Sequence, residues 1–309
     1  MKAFVFPGQG AQFVGMGKDL YESSALAKEL FEKANNILGY RITDIMFSGT
    51  DDELKQTKVT QPAVFLHSVI SALCMGEEFK PDMTAGHSLG EFSALVAAGA
   101  LSFEDGLKLV YARAMAMQKA CELQPSTMAA IIALPDEKVE EICAQVSAEG
   151  QVCVAANFNC PGQIVISGKT EAVAEAGEKL KEAGAKRVLP LKVSGPFHSK
   201  MLVGAGEKLG KVLDTVEIHT PEIPYIANVT ADYVTDAADV KPLLMKQVSS
   251  SVRWEQTIRK MLADGVDTFI EIGPGKTLTG FMRKIDKNAK AFNIEKLEDI
   301  DKVKEALGC

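Results

Sequence analysis

The 309-residue sequence is poor in several residue types whose patterns mark common classes of protein. It has four histidines, one tryptophan and six cysteines, and no two cysteines have the Cys-x-x-Cys spacing of a zinc or redox site. No apolar run approaches the roughly 20 residues that span a bilayer. Acidic residues outnumber basic ones, 41 to 34, for a formal net charge of −7, which argues against general nucleic-acid binding. We therefore expect no metal site, no nucleic acid and no membrane partner.

The N-terminus also lacks the pattern of a targeting segment. "MKAFVFPGQG" leads from a strand-like run directly into glycines, without the charged and apolar regions of a secretory signal and without an Arg-rich presequence. Most cysteines lie in apolar segments, as is typical of buried thiols in a reducing compartment. We therefore expect a cytoplasmic protein.

Strand-like and helix-like segments alternate along most of the chain, which predicts an α/β fold with a mainly parallel sheet covered by helices. The predicted strands of this sheet are residues 3–6, 82–86, 223–228 and 267–273, and the predicted helices are residues 20–38, 62–79, 89–98, 103–121, 240–248, 252–262 and 276–285.

The middle of the chain has a different order of elements. From "TMAAIIAL" to "KRVLPLKV" the pattern is strand, helix, strand, strand, helix, strand, which is the ferredoxin-like arrangement. We assign residues 125–194 to an inserted small ferredoxin-like subdomain. Residues 1–124 and 195–309 then form one large α/β subdomain.

One serine stands between two glycines, with a helix-forming run directly behind it. "TAGHSLGEFSALVAAG" places Ser88 between Gly86 and Gly90 after a short predicted strand. This G-x-S-x-G pattern is typical of a nucleophile elbow, whose sharp turn requires small neighbours and exposes the hydroxyl above a helix N-terminus. The N–H of Leu89 would then be an oxyanion donor. The alternative is an ordinary glycine-rich turn that caps a helix.

A serine nucleophile needs a base, and the four histidines are the candidates. His67 lies in an apolar helix and His219 between a strand and a turn, while His87 adjoins Ser88 and should point away from it as a supporting residue. His198 lies in "SGPFHSKM", where the small subdomain rejoins the large one, and clefts between subdomains often form sites. By elimination His198 is the best candidate for the base.

Two glycine-rich loops resemble nucleotide-binding motifs but fail their spacing. "FPGQGAQFVGMG" has Phe13 and Met16 where the dinucleotide and P-loop motifs need glycine and lysine, and "IEIGPGKTLTG" has Ile270 where a P-loop needs glycine. Gln9, on the first loop, could offer a second N–H to an oxyanion. The alternative for this loop is a simple tight turn.

Taken together, these motifs resemble those of the malonyl-CoA:acyl carrier protein transacylases of dissociated fatty acid synthesis. The resemblance rests on "VFPGQGAQ", "TQPAVF", "AGHSLGEFSAL", an arginine at position 113, "NFNCPGQIVISG", "GPFHSKM" and "EIGPGKTLTG", in this order, and it extends from Phe4 to about Met282. It implies a large α/β-hydrolase-like subdomain with a ferredoxin-like insert. It also implies transfer of a malonyl group from malonyl-CoA to the phosphopantetheine thiol of acyl carrier protein, with no cofactor.

The resemblance also assigns roles to individual residues. It implies that Ser88 is the nucleophile, that His198 is the base, and that the N–H groups of Gln9 and Leu89 are the oxyanion donors. A main-chain carbonyl near Gln247 would orient the histidine in place of an acid, although from sequence alone Gln247 is an ordinary exposed helix residue.

The same resemblance implies how the substrate is selected. Judged from its own segment, "LKLVYARAMAMQ", without the resemblance, Arg113 would be an arginine whose aliphatic stem covers apolar surface. In the family this arginine pairs with the malonyl carboxylate, which fits the planar guanidinium fork. The family likeness further implies that Phe197 excludes an α-substituent, so methylmalonyl-CoA should be a poor substrate.

Several alternatives remain open at this stage. A serine esterase or thioesterase, a trans-acting acyltransferase of a polyketide pathway and a catalytically silent acyl-binding protein share these features. We expect a monomer. Because the carrier protein is expected to be acidic, it would need a local basic patch, although such runs are often plain solvated faces. The candidates are Lys186, Arg187, Lys192, Arg283, Lys284 and Lys287.

Overall fold

The computed structural model describes residues 1–76, 80–148, 150–193 and 195–308. The predicted helix end at Phe79, the predicted subdomain boundary at Ser194 and the cysteine Cys309 lie outside these ranges. Within the described residues, no helix is long and apolar enough to cross a membrane.

The chain forms ten strands and fourteen α-helices within the described ranges. The strands are β1 (Lys2–Phe6), β2 (Met83–Gly86), β3 (Ser126–Ile132), β4 (Cys153–Cys160), β5 (Gln163–Lys169), β6 (Arg187–Pro190), β7 (Tyr225–Ala227), β8 (Asp232–Val234), β9 (Thr268–Ile272) and β10 (Lys290–Ile294). The helices are α1 (Lys18–Ser23), α2 (Ala25–Leu38), α3 (Ile42–Ser48), α4 (Asp51–Lys55), α5 (Thr57–Cys74), α6 (Gly90–Ala97), α7 (Phe103–Leu123), α8 (Asp136–Ala148), α9 (Thr170–Glu182), α10 (Val203–Leu213), α11 (Ala237–Gln247), α12 (Trp254–Ala263), α13 (Thr277–Ile285) and α14 (Leu297–Leu307).

The large sheet has six strands in the order β10-β9-β1-β2-β7-β8. Its pairs are parallel except for β7 with β8, which is antiparallel. Ala3, Phe4, Val5 and Phe6 of β1 are all buried, because helices cover both faces of the sheet. The predicted α/β class with a mainly parallel sheet is confirmed.

The small sheet has four antiparallel strands in the order β4-β5-β3-β6, with α8 and α9 in the predicted positions along the chain. Side chains of β3 alternate between its two faces. Ala129 and Ile131 pack in a separate core with α8 and α9, whereas Met128 and Ala130 join the main core. The small sheet thus lies with one face against the large subdomain. The boundaries at residues 125 and 194 stay predictions.

Several helices differ from the sequence-based prediction. The predicted helix over residues 20–38 is two helices, because Ser24 has an extended backbone and its side chain accepts a hydrogen bond from Ala27 N to begin α2. The prediction also missed α3, α4, α10, α14, β8 and β10. Helix α10 was missed because it contains three glycines, of which Gly206 and Gly210 let it pack closely against Met245 of α11.

Candidate active site

Ser88 lies on a sharp turn between β2 and α6, as the motif predicted. Its φ is 52°, in the left-handed region, which costs a non-glycine residue about 1–2 kcal/mol. A Cβ at Gly86 would lie 1.8 Å from the carbonyl oxygen of Gly90, and a Cβ at Gly90 would lie 2.1 Å from that of Phe6. Both glycines are therefore required by close backbone approach.

Asn228 braces this turn, and the sequence analysis did not identify it. Its Nδ2 donates to the carbonyl of Gly86 at 2.6 Å, and its Oδ1 accepts from the N–H of Ser88 at 2.7 Å. Asn228 directly follows β7, which neighbours β2 in the sheet. A polar residue at the carboxyl end of a predicted parallel strand was the available signal.

His198 is buried beside Ser88, and its Nε2 lies 2.8 Å from the serine Oγ. Its Nδ1 faces two main-chain carbonyls, at 2.9 Å from Gln247 O and 3.1 Å from Ser250 O. Because carbonyls only accept, Nδ1 carries the proton and Nε2 accepts from the Ser88 hydroxyl. Burial, followed by the nearby Arg113 charge, lowers the pKa of His198 to about 3. The imidazole is therefore neutral, as a base must be.

Gln247 is buried at the end of α11, not exposed as its sequence context suggested. Besides its carbonyl contact with His198, its side chain joins three groups. Its Nε2 donates to Ser88 O and to Glu91 Oε2, each at 2.7 Å, and its Oε1 accepts from Arg113 at 3.0 Å. Ser250, the second carbonyl that faces the histidine, was not identified from the sequence.

Arg113 comes from α7 and is fully buried next to the serine. One terminal nitrogen donates to Gln61 Oε1 at 2.7 Å, and the other donates to Ser88 Oγ and Gln247 Oε1, each at 3.0 Å. Burial lowers the pKa of Arg113 to about 10, so it remains protonated at neutral pH. The structure thus brings the predicted arginine and serine together.

The predicted oxyanion donors lie at the same pocket. Gln9 and Leu89 both line it, and no described residue accepts a hydrogen bond from either main-chain N–H. The first glycine loop approaches the elbow closely, since a Cβ at Gly8 would lie 2.7 Å from the carbonyl oxygen of His87. The roles of these two N–H groups stay predictions.

The pocket above Ser88 has a volume of about 230 Å³ and lies between the two sheets. Its walls are largely apolar, and the bulky side chains in them include Met117, Met128, Val165, Leu191, Phe197 and Phe281. Phe197 is buried and lines the pocket immediately before the histidine, where the prediction placed it.

The other histidines stand apart from the serine hydroxyl. His87 lines the pocket, and its Nε2 lies 2.8 Å from Asn159 Oδ1 on the small subdomain. His67 is buried in α5, and burial lowers its pKa to about 4. His219 is largely exposed. The elimination that favoured His198 therefore agrees with the placement of all four rings.

The second glycine loop leads into α13, whose first N–H groups are already occupied. The buried carboxylate of Glu271 accepts from the N–H groups of Leu278 and Thr279 at 3.1 and 2.7 Å. This internal acid takes the place that a phosphate would occupy in a P-loop. The loop is therefore not a phosphate site, in agreement with its failed spacing.

The described residues around these groups offer no cluster of metal ligands. Across the described ranges, no cluster of three or more His, Cys, Asp or Glu side chains could hold a metal ion.

The six basic residues considered for a docking patch are all exposed. Lys192 lies between the pocket residues Leu191 and Val193, and Arg283 lies two residues beyond Phe281, so each group of basic residues has one member close in sequence to the pocket.

These features define a class of protein. A hydroxyl on a strained elbow, bonded to a neutral imidazole in a largely apolar pocket, is typical of covalent acyl chemistry. The sequence pattern described as "Acyl transferase domain" matches residues 3–300. The chain belongs to this family, and the resemblance drawn from its motifs is confirmed.

Particular relatives are similar over nearly the whole length. The chain is 47% identical over 304 residues to the malonyl CoA-acyl carrier protein transacylase of Bacillus subtilis (strain 168), covering 97% of this chain and 95% of that protein. The crystal structure of an acyl carrier protein S-malonyltransferase from Vibrio cholerae superposes with a TM-score of 0.94 at 42% identity, covering 98% of this chain and 99% of the other. A type II PKS acyl-carrier protein in complex with its malonyl-transacylase matches with a TM-score of 0.95 at 38% identity, covering 99% of each chain.

Proposed function

We propose that this chain moves a malonyl group from malonyl-CoA to the phosphopantetheine thiol of acyl carrier protein through a malonyl ester on Ser88. Malonyl transfer between these partners is the activity named for relatives that match nearly the full chain. The observation that carries the substrate assignment is the buried, protonated guanidinium of Arg113, which lies 3.0 Å from the Ser88 hydroxyl.

Arg113 selects the acyl group by its charge. Its acceptors Gln61, Gln247 and Ser88 are all uncharged, so the buried cation has no directly bonded counter-charge among the described residues. A malonyl carboxylate supplies one, whereas an acetyl group leaves the cation unpaired. The Phe197 ring forms part of the pocket wall, and we expect it to leave too little space for the α-methyl group, so methylmalonyl-CoA should be a poor substrate.

Acylation uses the contacts already present in the site. The Ser88 hydroxyl donates its proton to His198 Nε2 as the oxygen attacks the thioester carbon. The carbonyls of Gln247 and Ser250 hold Nδ1–H and stabilise the imidazolium. The N–H groups of Gln9 and Leu89 bind the oxyanion, and one such donor is worth about 3 kcal/mol. His198 then protonates the CoA sulfur, and the C–S bond breaks.

The second half of the reaction reverses these steps. His198 takes the proton of the phosphopantetheine thiol, the sulfur attacks the malonyl ester, and the proton returns to Ser88 as the C–O bond breaks. Every proton is carried by His198, so the cycle needs no metal or redox cofactor. The absence of a cofactor requirement is part of this proposal.

Two experiments separate this function from its alternatives. Malonyl-CoA incubated without carrier protein should give a stable acyl-enzyme, whereas steady release of malonate indicates a thioesterase. Replacement of Ser88 by alanine should abolish carrier loading. If the S88A variant loads carrier at the parent rate, covalent catalysis through Ser88 is wrong.

The carrier protein is expected to dock on basic residues beside the pocket. We propose that Lys186, Arg187 and Lys192 on one side, and Arg283, Lys284 and Lys287 on the other, attract its acidic surface. Arg187→Glu and Arg283→Glu should raise the KM for carrier protein and leave transfer to free pantetheine unchanged. Unchanged kinetics with carrier protein would remove that residue from the docking surface.

The setting of the reaction is proposed from the same relatives. We expect the chain to supply malonyl groups for fatty acid synthesis in the cytoplasm, as a monomer. The match to a type II PKS carrier complex keeps service to a polyketide pathway as a second candidate. Parallel loading of fatty-acid and polyketide carrier proteins, compared by kcat/KM, separates the two.

A further inference from the structure

A buried acid, Glu91, lies under the active site with a role that the mechanism does not use. It is in the first turn of α6, three residues after Ser88, and is wholly buried. One carboxylate oxygen accepts from the Tyr225 hydroxyl, and the other accepts from Gln247 Nε2 at 2.7 Å and from Asn228 N at 3.3 Å. Its donors thus come from two separate parts of the chain, the region of β7 and the end of α11.

The Gln247 side chain connects this acid to the active-site cation. Its Nε2 faces two acceptors, Glu91 Oε2 and Ser88 O, and its Oε1 faces the guanidinium of Arg113. The opposite orientation of the Gln247 amide would place its NH₂ group against the guanidinium of Arg113 and its oxygen against two acceptor oxygens. The network therefore allows only the observed orientation. The Glu91 carboxylate is therefore separated from the Arg113 guanidinium by a single amide.

We propose that Glu91 is a resident counter-ion of Arg113, held one amide away so that it shares the guanidinium with the carboxylate of the incoming acyl group and weakens its binding. This inference rests on the proposed role of Arg113. A direct Glu91–Arg113 ion pair would occupy the donor fork that the substrate needs. With the amide between them, Glu91 itself occupies no guanidinium donor and still supplies negative charge near a buried cation. Glu91 is a positioning and charge-balancing residue, because it touches no reacting atom.

Substrate binding then brings two carboxylates to one cation in a dry site. Burial raises the pKa of Glu91 to about 7, and its hydrogen bonds and Arg113 act in the opposite direction. The substrate carboxylate repels an ionised Glu91, so Glu91 takes up a proton from solvent when the acyl group binds. Malonyl binding is accordingly stronger below pH 7, where Glu91 is already neutral.

The other titratable groups around Glu91 do not change charge near pH 7. The pKa of Tyr225 on β7 is raised well above its usual value, and Arg113 on α7 has a pKa of about 10. Burial lowers the pKa values of His198 and His87, which stay neutral near pH 7. The side chain that α5 adds to this network is the uncharged Gln61.

The test measures how the selectivity for malonyl over acetyl groups depends on pH. This selectivity is the ratio of kcat/KM for the malonyl thioester of N-acetylcysteamine to kcat/KM for the acetyl thioester, measured from pH 5.5 to 8.5. These probes lack the phosphates of CoA, and the ratio cancels every titration that both substrates share. In the parent enzyme we expect the ratio to rise about tenfold as the pH falls through about 7.

Two variants assign that titration to Glu91. Glu91→Gln keeps the shape and can keep the hydrogen bonds, since Tyr225 can accept as well as donate. Its ratio should be independent of pH and close to the low-pH value of the parent. Tyr225→Phe removes a hydrogen bond that lowers the pKa of Glu91, so the midpoint of the ratio should move to higher pH.

Other results would overturn the inference. A ratio in the parent enzyme that does not vary with pH contradicts it even if E91Q fails to fold. So does an E91Q ratio below the parent's at pH 8.5. Failure of the proposed function looks different, because Arg113→Met would then leave the malonyl-to-acetyl ratio of the parent unchanged.

Discussion

Replacement of Arg113 by methionine should remove most of the selectivity for malonyl over acetyl groups. Methionine keeps the apolar stem of the side chain and removes the guanidinium that lies 3.0 Å from Ser88 Oγ. Breaking a buried charge pair costs about 3–5 kcal/mol, which corresponds to a loss of about 10²- to 4 × 10³-fold in kcat/KM for malonyl-CoA. Acetyl-CoA has no carboxylate to lose, so its kcat/KM should change by less than about threefold.

The substitution also has a cost to stability that must be measured separately. Gln61 and Gln247 each lose the donor to their buried Oε1, at about 1–3 kcal/mol per unpaired group. Urea unfolding of R113M therefore accompanies the kinetics. Arg113→Lys is the matched control, because it keeps the charge without the planar fork and should give an intermediate ratio.

An equal loss of kcat/KM for malonyl-CoA and for acetyl-CoA would refute this reasoning. Arg113 donates to the Ser88 hydroxyl itself, so an arginine that served only to support the nucleophile would slow malonyl and acetyl transfer alike. Selective loss of malonyl transfer, with the acetyl rate kept, is the outcome that only carboxylate recognition explains.

Three further predictions concern the walls and supports of the site. A Cβ at Gly195 would lie 2.3 Å from Cys121 Sγ and 2.8 Å from the Phe197 ring, so Gly195→Ala should displace that ring and lower kcat/KM for malonyl-CoA at least tenfold. Adding Cys121→Ala to this variant should restore part of the lost kcat/KM, and a double variant with no recovery would contradict the prediction. Asn228→Ala removes both side-chain hydrogen bonds to the turn at Ser88 and should slow the acylation burst about tenfold or more. An unchanged burst rate would show that the turn is stable without them. The folded-state pKa of His67 is about 4, against about 6.5 when unfolded, so the folded state binds fewer protons in between and stability falls as pH drops through this window. From pH 7.5 to pH 5 this amounts to about 2 kcal/mol, so His67→Leu should lose that much less stability in urea unfolding, and equal losses would contradict the reasoning.

The site was predictable from sequence where local geometry dictates residue type. The turn at Ser88 needs glycine at positions 86 and 90, because a Cβ at either position would clash with backbone atoms. The glycine spacing in the sequence therefore predicts the turn. The alternation of strands and helices likewise predicted the parallel sheet, and the change of order in the middle predicted the second sheet. These are short-range signals, in which neighbouring residues constrain one another.

The parts that were missed depend on long-range packing. Asn228 meets Ser88 and Glu91 only because β7 lies beside β2 and α6 in the fold, and each of these contacts joins residues more than 130 positions apart in the chain. Helix α10 was missed because its glycines serve contact with α11 and lower its local helix propensity. Gln247 looked exposed because its buried partners come from three other segments.

The central claim is that Ser88 carries the malonyl group between two thiols. The most direct test is mass spectrometry of the intact protein after brief, parallel exposure to malonyl-CoA, acetyl-CoA and methylmalonyl-CoA. The account predicts a mass increase of one malonyl group, located on Ser88 and discharged by holo carrier protein, with little adduct from the other two thioesters. An unmodified protein that still loads the carrier, or an adduct on another residue, would contradict it.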